Sequence, residues 1–112
     1  MASLDIRPLA DCDIDPAYAL VRLGRDQPSL EDWRAWAGGR GATGADGASR
    51  GAMTARRGAG ALCGVAAYRR GPAAPALRIE RLVAFDLTDP EPVARALMDA
   101  VFAFTGLTAA DL

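Results

Sequence analysis

A strand that runs directly into a helix near the end of the chain dominates the sequence pattern. Apolar residues recur at alternate positions of Leu77–Leu87, which predicts a strand. Four of its apolar residues are expected on one face: Leu77, Ile79, Val83 and Phe85. Arg81 interrupts that face, which predicts a β-bulge near Glu80 and Arg81. Asp89 and Pro90 then open a helix, since both residue types favour a helix N-terminus.

That last helix has an apolar stripe and a defined end. Residues at helical spacing predict its buried side: Val93, Leu97, Val101 and Phe104. Gly106 is expected to stop the helix, since glycine accepts the left-handed conformation common after a last turn.

The first third of the chain contains one short strand and two helices. Leu4–Leu9 alternates as a strand does, and Asp15 with Pro16 is expected to cap the helix that follows. Ser29 with Asp32 three residues later predicts the second N-terminus. Its apolar side is expected to consist of Leu30, Trp33 and Ala37, with Trp36 beside them.

A glycine-rich segment separates the helices from three strands. Gly38–Gly51 has six glycines in 14 residues and is predicted to be a flexible loop within a single domain, 1–112. Ala52–Arg57 and Ala59–Arg70 are predicted strands joined by a tight turn. The order β-α-α-β-β-β-α predicts an α+β fold, a mostly antiparallel sheet flanked by helices.

Composition excludes several kinds of chemistry. All 13 basic residues are arginine, and there is no histidine, which removes histidine bases, histidine-ligated metals and lysine Schiff bases. The net charge of −1 argues against nucleic acid binding, and no apolar run could span a membrane. Without a signal peptide at Met1 the expected location is the cytoplasm, with Cys12 and Cys63 reduced and buried. No metal site is expected.

The order and spacing of these elements resemble the GNAT-type N-acetyltransferase superfamily. The resemblance rests on Ile6–Leu9 in the first strand, the helix pair before the glycine-rich loop, Ala61–Tyr68, and Leu77–Phe85 leading into a helix. It implies a fourth strand whose backbone contacts acyl-CoA, here at Leu82, Val83 and Ala84. A small α+β protein unrelated to that superfamily is the alternative.

The resemblance also implies a glycine-rich turn that binds the cofactor's pyrophosphate, of the pattern Q/R-x-x-G-x-G/A. The corresponding stretch Asp86–Pro92 has no glycine, two prolines that lack amide donors, and three acids. This predicts a degenerate acyl-CoA site and no bound cofactor, with acetyl-CoA as the alternative.

Glu80 is the candidate catalytic residue, a carboxylate in the fourth strand that could deprotonate an acceptor amine. Alternatively, Glu80 pairs with Arg78 or with an arginine of a neighbouring strand. Tyr68 is a candidate proton donor or a core residue. Cys63 lacks a visible base and has apolar neighbours that would raise its pKa.

The family pattern continues with a fifth strand and a helix, and the given sequence ends before them. The leading hypothesis is a non-catalytic GNAT-like protein that binds a second copy or a partner protein through an exposed sheet edge. The alternative is a minimal acyl-CoA-dependent N-acetyltransferase completed by a second subunit.

Overall fold

The computed structural model describes residues 4–24, 27–58, 60–86 and 88–112. Strands and helices follow the predicted order: β1 (Leu4–Pro8), α1 (Ile14–Val21), α2 (Leu30–Gly38), β2 (Ser49–Arg57), β3 (Leu62–Arg70), β4 (Leu77–Ala84) and α3 (Glu91–Thr105). Two short 3₁₀ helices, Asp11–Asp13 and Ala109–Asp111, are additional. The predicted strand limits at Ala59 and Leu87 lie outside the described residues.

The four strands form one antiparallel sheet in the order β1-β2-β3-β4. Helices α1 and α2 pack on one face of the sheet, and α3 packs on the other. The predicted α+β architecture is confirmed. No helix in the described part of the chain is both long and apolar enough to cross a membrane.

The α3 face of the sheet carries one of two apolar clusters. Val93, Leu97 and Val101 are fully buried there, as the stripe predicted. Phe104 was wrongly included, because it is 61% exposed and Thr105 is buried instead. Thr105 continues the spacing of four residues from Val101, and its hydroxyl donates to the Val101 carbonyl at 2.7 Å. Gly106 ends the helix with φ of 73°, as expected.

The opposite face holds the second cluster, centred on Trp33. Its ring is 1% exposed and its Nε1 donates to the carbonyl of Ile14 at 2.7 Å, which joins α2 to the start of α1. The Ser29 hydroxyl accepts from the Asp32 amide, so that cap is confirmed. The cap predicted at Asp15 is wrong. The helix already begins at Ile14, and the Asp15 carboxylate pairs with Arg34 at 2.7 Å.

A β-bulge lies where the sequence predicted one. Ile79 is opposite Tyr68 and Arg81 is opposite Ala67, so Glu80 is the extra residue in β4. Side chains alternate between faces, and one extra residue therefore reverses the faces of all that follow. Ile79 packs on the α3 side, but Val83 packs on the α1 side. The prediction that both share one face is wrong for this reason.

The glycine-rich segment is shorter than predicted. Gly38 is the last residue of α2, and β2 already begins at Ser49, so the segment without helix or strand spans 39–48 apart from a bridge at Thr43. Gly51 belongs to β2 and pairs with Tyr68 of β3, whose side chain lies over it. A Cβ at Gly51 would overlap the tyrosine ring and hydroxyl. The flexibility of residues 39–48 stays a prediction.

Candidate functional site

Strand β4 forms one edge of the sheet. It pairs with β3 on one side, and no strand within the described ranges pairs with its other side. A cleft of about 370 Å³ lies beside it, formed by residues 80–83 and by Val21, Leu23 and Gly24 at the end of α1. The cleft therefore brings Glu80 together with two of the three predicted cofactor-contacting residues, Leu82 and Val83.

The three predicted cofactor-contacting residues have different surroundings. Leu82 is 42% exposed, and Val83 is partly buried against the α1 side. Ala84 packs against the cluster beneath α3 and does not line the cleft. Contact of their backbone with a cofactor stays a prediction.

Glu80 has a cationic neighbour on β3. Its Oε1 lies 3.1 Å from Arg69 Nε, and its side chain is 27% exposed. The contact is an ion pair of poor hydrogen-bond geometry, since Arg69 Nε is buried and forms no hydrogen bond with the described residues. Glu80 therefore pairs with an arginine of the neighbouring strand, which was the predicted alternative to a catalytic role. A substrate amine would have to compete with Arg69 for it.

The other two candidates for proton transfer or nucleophilic attack lie in the core. Tyr68 is 3% exposed and Cys63 is 8% exposed, both in the cluster beneath α3. Burial raises the pKa of the Tyr68 hydroxyl and of the Cys63 thiol, so both stay protonated at neutral pH. Cys12 was expected to be buried, but it is exposed in the 3₁₀ helix before α1.

The turn between β4 and α3 is arranged around the Asp86 carboxylate. Its Oδ1 accepts hydrogen bonds from the backbone amides of Thr88 at 2.8 Å and Asp89 at 3.1 Å. Arg57 pairs with the same carboxylate through Oδ2. These amides, followed by Arg57, hold the pKa of Asp86 below its usual value. Asp89 in turn accepts from the Glu91 amide at 3.0 Å. The backbone amides of Thr88, Asp89 and Glu91 are thus already hydrogen-bonded to aspartate side chains of this protein.

The surface next to this turn is acidic. A groove of about 430 Å³ along the start of α3 includes the carboxylates of Asp89, Glu91 and Asp99. Its one arginine, Arg95, pairs with Glu91 at 3.2 Å. An anionic ligand would meet net negative charge along this groove.

Sequence reasoning identified the acids of this turn but missed the role of Asp86. The spacing offers the signal, because an aspartate often accepts from amides two and three residues later. Among the described residues, no group of three Cys, Asp or Glu side chains is placed to hold a metal ion.

Comparison with known proteins finds a similar structure but no similar sequence. No protein-family model matches the sequence, and no curated protein matches it. The fold is similar to a solved fungal protein described as containing "a unique GCN5-related glucosamine N-acetyltransferase region" in a multi-domain GH3 β-N-acetylglucosaminidase. The TM-score is 0.66 at 15% identity, and the match covers 91% of this chain.

The chain has a GNAT-type fold. The resemblance read from the sequence is confirmed at this level, and the match spans 12% of the longer fungal chain.

Proposed function

We propose that this protein is a non-catalytic GNAT-like module that binds a second copy of itself or a partner protein through the exposed edge of β4. One observation carries the proposal: the Asp86 carboxylate accepts from the amides of Thr88 and Asp89 at the position where the fold implies a pyrophosphate.

The Asp86 carboxylate acts as an internal substitute for an anionic ligand. Amides at the start of a helix bind phosphates because their N–H groups are free and the helix end is positive. Here those donors are occupied, and a pyrophosphate would have to displace a carboxylate that Arg57 also holds. The displaced carboxylate would then repel the ligand at close range.

The groups that could move a proton support the same proposal. Glu80 is paired with Arg69, and Tyr68 is buried with a raised pKa. A general base needs a free carboxylate within hydrogen-bond reach of its substrate, and a general acid must reach the leaving group. Neither side chain meets its requirement in this arrangement.

Apolar exposure next to the β4 edge favours a protein partner. Leu23 is 64% exposed, Leu82 is 42% exposed and Phe85 is 50% exposed. Leu23 borders both the cleft along β4 and a second cleft of about 360 Å³ that also includes Phe85. Unpaired strand edges flanked by apolar side chains are suited to strand addition by another chain.

A minimal N-acetyltransferase completed by a second subunit is the other candidate. The cleft beside the bulge favours it, because Glu80 contributes to the lining together with Leu82 and Val83. In this case acetyl-CoA must bind the protein before any transfer takes place.

Acetyl-CoA titration by calorimetry and thermal shift distinguishes the two candidates. A ligand at about 100 times its Kd stabilises a protein by about 2.7 kcal/mol, so binding at tens of micromolar would be visible with millimolar acetyl-CoA. We expect no heat and no shift in Tm for the wild type. Heat of binding together with NMR shifts at Leu82 and Val83 would overturn the non-catalytic assignment.

Two variants make this measurement specific to the Asp86 turn. Asp86→Gly removes the carboxylate and frees the two amides, so we expect it to bind acetyl-CoA or pyrophosphate more tightly than the wild type does. Asp99→Ala is the matched control, because it removes a negative charge from the same acidic surface without freeing an amide. Equal gains in both variants would mean that overall charge, and not the occupied amides, limits binding.

A further inference from the structure

Three arginines stand in one row across the sheet. Arg50 of β2 lies opposite Arg69 of β3, and Arg69 lies opposite Arg78 of β4. Arg69 follows Tyr68, which faces α3, so the row belongs to the face that carries α1 and α2. Like charges directly opposite each other destabilise a sheet. Glu80 pairs with Arg69, and this single carboxylate does not balance three arginines, so the row keeps an excess of positive charge.

Two of these arginines line a second cleft, distinct from the one beside β4, although Arg69 also pairs with Glu80. The cleft has a volume of about 280 Å³ and lies between Arg50, Arg69 and the segment 39–48. Among the described residues, the Arg50 side chain has neither a hydrogen bond nor an ion pair. The buried Nε of Arg69 also lacks a hydrogen bond there. That Nε faces Glu80 at 3.1 Å, so the donors that Arg69 offers to the cavity are those of its terminal nitrogens, beside the guanidinium of Arg50.

The segment over the cleft forms hydrogen bonds within itself and to β2. The amide of Gly44 donates to the Ala48 carbonyl at 2.8 Å, and the amide of Gly41 donates to the Arg50 carbonyl at 3.0 Å. Asp46 accepts from the Ala48 amide at 3.0 Å and forms no ion pair with Arg50 or Arg69. Its carboxylate therefore shapes the segment and neutralises neither arginine, so Arg50 has no acidic partner among the described residues and Arg69 has only Glu80.

Glycine at position 39 permits the observed place of Arg50. A Cβ on Gly39 would lie 3.3 Å from Arg50 Nη1, a closer contact than most side chains tolerate. The absence of a side chain there lets the guanidinium rest against the backbone at the rim of the cleft.

We propose that this cleft binds a small oxyanion, the phosphate or carboxylate group of a small-molecule ligand, between Arg50 and Arg69. Guanidinium groups present paired N–H donors that match the oxygens of both groups, and hydrogen bonds to charged groups are the stronger ones. The volume of about 280 Å³ is just below the usual range for ligand pockets, about 300–1,000 Å³, which suits a small anion. The nearby Asp46 carboxylate disfavours a polyphosphate, so a single phosphate or carboxylate group is the expected ligand.

This site is separate from the Asp86 turn. Arg78 stands near the start of β4, whereas Asp86 follows its end. Anion binding at this cleft goes beyond the proposed function and does not depend on it, because no residue that lines the cleft belongs to β4.

Titration with inorganic phosphate and with acetate, at constant ionic strength, tests the site. NMR signals of the arginine Nε–H groups report which guanidinium responds, and the tighter of the two anions identifies the ligand class. We expect saturable shifts of Arg50 and Arg69. Shifts that do not saturate, or that are equal for all arginines, would overturn the proposal.

Variants locate the binding site. Arg50→Gln and Arg69→Gln should each weaken the Kd roughly tenfold or more, the loss expected for hydrogen bonds to a charged group. Arg70→Gln is the matched control, since Arg70 is the next residue of β3 and belongs to the opposite face. Equal weakening by Arg70→Gln would overturn the proposal.

A second measurement covers the case in which Arg69→Gln fails to fold. Arg50 has no partner among the described residues, so Arg50→Gln should fold, with a Tm at or above that of the wild type in phosphate-free buffer. Phosphate should raise the Tm of the wild type and have little effect on that of Arg50→Gln. The same increase in both proteins would mean a general salt effect and would contradict the site.

Discussion

At the scale of single residues, Asp86 shows how one side chain can occupy the backbone amides just before a helix. Its carboxylate takes the two amides of Thr88 and Asp89 and the Arg57 guanidinium. The same contacts stabilise the ionised form of the carboxyl group and lower its pKa. The residue thus links the local turn, its charge and the expected lack of acyl-CoA binding.

Replacement of Asp86 by asparagine should make stability less dependent on pH. The folded pKa lies below the ordinary 3.8, so the folded state holds this carboxylate ionised where the unfolded chain is protonated. Its contribution is present above that value and is lost as the pH falls through the folded pKa. Urea unfolding should show Asp86→Asn destabilised at pH 7 and equal to the wild type in strong acid.

The control for this pH experiment is Asp99→Asn. The Asp99 carboxylate forms no hydrogen bond or ion pair among the described residues. Its replacement should therefore change stability little at either pH. A stability difference between Asp86→Asn and the wild type that is the same at both pH values would contradict the role given to Asp86.

Gly51→Ala tests the close packing of β2 against Tyr68. The added Cβ would overlap the buried ring, so we expect a loss of about 1–3 kcal/mol in the free energy of unfolding, as for other overpacked cores. Gly38→Ala is the control, because no atom outside its own helix lies within 4 Å of the new Cβ. Because Gly38 is the last residue of α2, that change should leave stability unchanged or raise it by less than about 1 kcal/mol. Urea unfolding measures both, and an unchanged midpoint for Gly51→Ala would contradict the contact.

At the scale of helices and strands, the spacing of apolar residues predicts which helices and strands form. It predicts less well which side of each element faces the core. The bulge near Glu80 could be predicted because Arg81 interrupts an apolar alternation. The face of Val83 could not, since it depends on which residue is extra, and that is decided by pairing with β3. Phe104 was misplaced because a stripe read from sequence permits steps of three or four residues, and packing selects Thr105.

The candidate site was predictable only in part, for a related reason. Charge and the lack of glycine in Asp86–Pro92 are visible in sequence. The row of Arg50, Arg69 and Arg78 is not, because three strands distant in sequence must first align in register. Local patterns report local structure, whereas cross-strand neighbours depend on the whole sheet.

Deletion of Glu80 tests the bulge directly. Without the extra residue, Ile79 and Arg81 keep their partners Tyr68 and Ala67, so the faces of β4 are preserved. The cost should be within about 1 kcal/mol, which is the value of a partly exposed ion pair. Urea unfolding measures it.

Deletion of Ala52 is the control for this experiment. It removes a buried residue from β2, a strand without an extra residue, and reverses the faces of Gly51 and Arg50. We expect severe destabilisation or failure to fold. If deletion of Glu80 were equally harmful, the assignment of Glu80 as the extra residue would be wrong.

At the scale of the whole molecule, the faces of the sheet are covered and one of its edges is not. Both faces are covered by helices, whereas the β4 edge is unpaired in the described part of the chain and has exposed Leu82 beside it. Natural proteins usually place charged residues, proline or a covering segment at such edges, because an exposed edge can form strand pairs with other chains. Arg78 and Glu80 give β4 some charge, and the bulge interrupts its regular pairing.

The proposed interaction through this edge predicts association that depends on Leu82. Light scattering coupled to size exclusion should show a mass that rises with concentration, or pull-down should capture a protein that the edge binds. Leu82→Lys should weaken either association roughly tenfold or more, since a lysine on an edge strand opposes pairing. Phe104→Lys is the matched control, because Phe104 is also an exposed apolar residue but lies on α3, away from the strand edge. A wild type that stays monomeric and captures nothing, or equal weakening by the two lysine variants, would contradict an interface at β4.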